Sequence, residues 1–124
     1  MCEEDAQARA KPAWRARVSA AAKAAMVTAH EAMQRIDTAR ARVREPVLLA
    51  YRDCGELQHL HVLAEFTPTE VWVAMWLRDL NATAAAISGM VSMLRATDDP
   101  LADVITPVGV ALARLIAIVV DVDA

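Results

Sequence analysis

Three kinds of side chain in this 124-residue chain carry chemistry elsewhere in proteins: histidines (His30, His59, His61), cysteines (Cys2, Cys54) and a set of arginines. Glu56 and His59 lie three residues apart, half of the inward-facing carboxylate–histidine pattern that binds metals in helical bundles. The other half is missing, because Gln58 stands three residues before His61 and Val27 three before His30. Glu56 also follows Gly55, where a helix is expected to end. His59 and His61 would share a face only on a strand. These residues read as a polar turn, and no metal or other cofactor is expected.

Cys54 has Asp53, His59 and His61 near it in sequence, which raises the question of a nucleophile. No glycine-rich oxyanion loop or strand–turn–helix elbow accompanies them. With three glycines in the whole chain, the loops that cradle phosphates, dinucleotides or calcium have little to be built from. The chain is therefore not expected to be an enzyme. There is no Cys-x-x-Cys pair, and the two thiols read as incidental in a reduced setting. The opening MCEEDAQARA is acidic where a secretory signal would be basic and then apolar, so a cytoplasmic location is expected.

The net charge of −3 conceals an asymmetry. Between Arg9 and Arg52 ten basic residues face three acids, whereas from Asp53 onward three arginines face ten acids. Arg35, Arg40, Arg42 and Arg44 are the candidates for facing an anion, and Arg suits forked pairing with phosphate or carboxylate. Such a face would bind nucleic acid through phosphates and without sequence preference. The stretch from Asn81 to Leu94 has no basic residue at all, which removes a helix-turn-helix reading. The asymmetry equally suits pairing of the basic part with the acidic part, in one chain or between two copies.

Trp14, Met26, Met33, Ile36, Trp72 and Trp76 are the candidates for contacting a protein partner, since interfaces favour aromatic anchors and adaptable methionines. They stand out because aromatics are scarce: 27 alanines accompany only five aromatic residues. Alanine is the best helix former, and small side chains allow helices to approach closely. An all-α, four-segment bundle follows, with a short flexible tail over 1–11 and a single domain over 12–124.

The elements that must position these residues are marked out by Pro12, Pro46, Pro68 and Pro100. The first segment, Pro12 to Glu45, predicts one long helix rich in Ala and Arg, about 50 Å in length. Its seam runs Ala22, Met26, Ala29, Met33, Ile36, Arg40, Val43 and Val47, in alternating steps of four and three. Segment 47–66 predicts a helix broken near Gly55, with a hairpin turning at Asp53-Cys54-Gly55 as the competing form. Thr67-Pro68-Thr69-Glu70 is a capping box for a third helix that reaches Arg95. That helix has an unbroken seam of Val73, Leu77, Leu80, Ala84, Ile87, Val91 and Leu94. The fourth segment opens at Asp99-Pro100 and carries Leu101, Ile105, Val108, Leu112, Leu115 and Val119, with a kink expected near Thr106 before Pro107.

Val104–Val120 contains Arg114, and Val71–Leu94 contains Arg78 and Asp79, so neither is expected to cross a membrane. Three heptad-like seams and an over-long first helix predict a non-enzymatic interaction or assembly subunit, acting as a homo-oligomer or with a protein partner. A nucleic-acid-associated regulator using the arginines is the alternative.

Overall fold

Alanine, leucine and arginine favour helix, and the described residues, 12–59 and 70–121 of the computed structural model, form four of them. They are α1 (Pro12–Gln34), α2 (Ala41–Leu57), α3 (Glu70–Ala96) and α4 (Leu101–Val120). Among the described residues there is no strand. The tail expected over 1–11, Leu60–Phe66 of the possible hairpin, and Thr67–Thr69 of the capping box lie outside the described residues.

The helices close into a ring: α1 packs on α2 and α4, and α3 packs on α4 and α2. Short links fix their directions. The Arg17 guanidinium, near the start of α1, donates to the Asp121 carbonyl at the end of α4 (3.4 Å). Ser19 donates to the Gln58 carbonyl just past α2. Sequential neighbours therefore run antiparallel, as short connections require.

The single long helix expected from Pro12 to Glu45 is corrected by the structure. α1 stops at Gln34 after 23 residues, about 34 Å. The Arg35 and Ile36 N–H groups bond three residues back, to Ala32 and Met33, tightening the last turn. Asp37 then folds on itself: its Oδ1 accepts from the Ala39 N–H (2.8 Å) and its carbonyl from the Arg40 N–H (2.8 Å). Aspartate offers the backbone this local alternative to helix. The seam periodicity passes through Asp37 without registering that the backbone turns there.

Pro46 does not open a helix either; it is buried inside α2. The helix continues through Asp53, Cys54 and Gly55 to Leu57, which removes both the break near Gly55 and the hairpin turn. A Cβ on Gly55 would sit 3.9 Å from Met26 Cε, an ordinary contact. α4 is likewise unbroken across Pro107, and the Thr106 hydroxyl donates to the Ala102 carbonyl (2.6 Å).

The α3–α4 connection is a Schellman turn with a capped exit. The Asp99 N–H reaches the Leu94 carbonyl (2.8 Å) and the Asp98 N–H the Arg95 carbonyl (3.2 Å). Asp98 carries the positive φ of 54° that this motif needs. Asp99 Oδ1 then accepts from the Leu101 N–H (3.0 Å) at the start of α4.

The core follows the seams. Val73, Leu80, Ile87 and Leu94 of α3 are buried, with Leu77, Ala84 and Val91 half-buried beside them. Ile105, Val108, Leu112, Leu115 and Val119 of α4 are almost fully enclosed. Ala22, Ala25, Ala29 and Ala32 present the small face of α1, and each is buried against helices of the same chain.

Candidate functional site

The chemistry-bearing side chains among the described residues are dispersed. His30 is exposed on α1, 6.3 Å between ring centroids from Tyr51, with its Nε2 3.2 Å from Gln34 Nε2. His59 is exposed just beyond α2, while His61 lies outside the described residues. Glu56 is exposed on α2. Among the described residues no three His, Cys, Asp or Glu side chains are grouped as metal ligands.

Cys54 is fully buried, and desolvation, with a smaller contribution from the neighbouring Asp53 charge, pushes its thiol up to about 12. At neutral pH it is a small core residue, without the thiolate that nucleophilic attack requires. Asp53 is raised above the ordinary carboxylate range chiefly by burial, with the Asp79 charge adding and the Thr83 hydroxyl opposing. That hydroxyl donates to Asp53 Oδ2 at 2.6 Å and ties α3 to α2.

The candidate anion-facing arginines lie along the α1–α2 turn and the first turn of α2, and one of them is paired with an acid. Arg40 Nη2 pairs with Asp99 Oδ2 at 2.7 Å, joining the α1–α2 turn to the α3–α4 turn. The Leu101 N–H and then Arg40 hold Asp99 below the usual carboxylate range. Arg35 and Arg42 are exposed. Arg44 is half-buried, and its Nε has no hydrogen bond among the described residues. The opposite charges of the two parts of the sequence thus meet, at this point, within one chain.

The candidate partner-contacting residues divide by burial. Trp14 is 1% exposed, Ile36 4% and Trp76 6%, so these three belong to the chain's own core rather than its surface. Met26 and Met33 are half-buried against that core. Trp72 alone of the set presents a large apolar surface, 43% exposed, its ring tilted against Trp76 at a centroid distance of 6.2 Å. Sequence reasoning missed the exposed apolar side chains Val27, Leu48, Leu49, Val71, Val110 and Val120, while Met93, one of the methionines suited to a partner contact, is exposed. Their signal was present as apolar residues off the seams.

Three of the open surface grooves lie between helices. One lies between the α1–α2 turn and the end of α3, with Arg40 and Arg42 beside Met90 and Met93 (about 460 Å³). A second runs between α3 and α4 over Ile87, walled by Ser88, Ser92, Gly109, Val110 and Ala113 (about 520 Å³). The third, between α1 and α2, holds Met26, His30 and Tyr51 (about 470 Å³). None brings a base, a nucleophile and an oxyanion donor together. What such grooves offer is apolar surface shaped between helix ridges.

α4 is long and apolar enough, by length and composition alone, to cross a membrane, in contrast to the sequence expectation. In this fold its inward face is a bundle core. No protein-family model, curated protein or solved structure matches this chain.

Proposed function

We propose that this protein is a non-enzymatic interaction or assembly subunit that works through helix–helix packing in a homo- or hetero-oligomer. The observation that carries the reading is the exposure of α4. It is the most apolar of the four helices, yet seven of its 20 residues are exposed. Val110 and Val120 remain 57% exposed on it. Apolar surface of this kind marks interaction sites when it is contiguous. The dispersal of the described histidines and the burial of Cys54 add support, since among the described residues they form no assembled reactive centre.

The first helix is not over-long and lends the reading no support, because α1 ends at Gln34. The test is mass measurement of the intact complex purified from native material. A complex heavier than one chain, recovered without detergent, is the expected result. A single-chain mass throughout, or recovery only from detergent-solubilised membranes, would overturn the reading.

A further inference from the structure

The outward face of α4 carries a second heptad stripe, opposite the one that builds the core. Asp103, Pro107, Val110, Arg114 and Ala117 follow in steps of four, three, four and three, and all five are exposed. Asp103 and Arg114 stand eleven residues apart, about three turns or 16 Å along the axis. Among the described residues neither has an ion-pair partner, whereas Arg40 and Asp99 are paired. Val110, 57% exposed, lies between them.

This order of charges is self-complementary under a two-fold operation that sets the two helices antiparallel. We infer that α4 packs against α4 of a second copy of this chain, antiparallel about a two-fold axis passing between positions 108 and 109. The inference rests on the reading of the protein as an assembly subunit and names its partner. Under that axis Asp103 meets Arg114 of the partner subunit and Arg114 meets Asp103 of the partner subunit. Val110 faces Pro107 of the partner subunit, and its counterpart contact is the same by symmetry, as an isologous interface requires. Two ion pairs then bracket an apolar centre. A parallel arrangement in register would set Asp against Asp and Arg against Arg, so the charges select the antiparallel one. Ala113, small and exposed beside Val110, leaves room for a close approach.

The test is a charge-swap series read by sedimentation equilibrium from about 1 to 100 µM, the range for a modest interface. The wild-type chain is expected to form dimers. Asp103→Arg alone and Arg114→Asp alone each put like charges opposite one another, and each should weaken dimerisation by about tenfold or more. An equimolar mixture of the two single variants should recover it as a heterodimer, and so should the doubly substituted chain. Far-UV circular dichroism and melting of each variant separate loss of pairing from loss of fold; the rescue by mixing cannot come from misfolded chains. A monomeric wild type over the whole range overturns the inference, as do single variants that dimerise like wild type or a mixture that stays monomeric. If any of these holds while the native complex still exceeds one chain in mass, the assembly reading survives with a different surface.

Discussion

Replacing Gly109 by alanine should fail to stabilise the protein, although the same replacement at Gly89 should succeed. Both glycines lie inside long helices, Gly89 in α3 and Gly109 in α4. On helix propensity alone, Gly→Ala in a helix interior gains about 1 kcal/mol at either site. A Cβ on Gly89 would have nothing within 4 Å, so that gain should appear in full. A Cβ on Gly109 would lie 3.2 Å from Ile87 Cγ2. Ile87 is 1% exposed and branched at Cβ, so it yields little, and overpacking of this kind costs about 1–3 kcal/mol. Gly109→Ala should thus range from neutral to destabilising by about 2 kcal/mol. In urea unfolding, with a slope of about 2 kcal/mol/M, Gly89→Ala should raise the midpoint by about 0.5 M. Ile87→Ala removes the obstructing methyl, and in that background Gly109→Ala should regain its advantage of about 1 kcal/mol. If Gly109→Ala stabilises wild type as much as Gly89→Ala does, the close α3–α4 approach is wrong.

Asp98 holds a left-handed φ of 54° that glycine adopts without penalty, so Asp98→Gly should stabilise by about 0.5–1 kcal/mol in the same assay; destabilisation would contradict the Schellman turn. The two shifted aspartates should tilt the pH profile of stability in opposite directions. Asp53, raised by burial, binds its proton more tightly when folded, so its contribution grows as pH falls through its folded value toward the ordinary one; Asp53→Asn should remove that gain. Asp99, lowered by the Leu101 N–H and by Arg40, contributes fully above the ordinary aspartate range and loses its contribution as pH falls through its lowered folded value. Asp99→Asn keeps a capping oxygen and should flatten that acid-side loss, and profiles of urea midpoint against pH between 2 and 6 that match wild type for both variants would contradict these environments. Finally, Cys54, with its thiol pushed up to about 12, should resist alkylation at pH 8 in the native protein and react once unfolded; site-resolved mass spectrometry showing equal rates would refute its burial.

Much of the fold was legible because helical periodicity is local. The seams of α3 and α4 name their own buried residues, from Val73 to Leu94 and from Ile105 to Val119. The α1–α2 turn was not legible in the same way. Ala, Arg and Met sustain helix up to it, and apolar spacing continues across it. The decisive event is a pair of hydrogen bonds at Asp37, each worth about 1 kcal/mol, too small to show in a periodicity. Gly55 and Pro107 illustrate the converse, since both weaken a helix locally and both are carried through by the packing around α2 and α4. The partner-contact candidates failed where residue type was used to infer exposure. Trp14 and Trp76 are as suitable for a core as for an interface, and only their place on the buried side of a helix separates them from Trp72.

By itself the sequence determined that this chain is helical, which stripes of its helices become dry, and that alanine would let them approach closely. It could not say what would cover each stripe, because a 3.6-residue period states that a face is buried without naming the surface that buries it. The tertiary structure decided that α1's alanines meet α2 and α4 of the same chain, and that Arg40 meets Asp99 across 59 residues of sequence. It also decided which apolar residues were left over. Val110 and its flanking Asp103 and Arg114 are exposed because α4's other face already fills the core, and that remainder is the surface from which assembly is proposed.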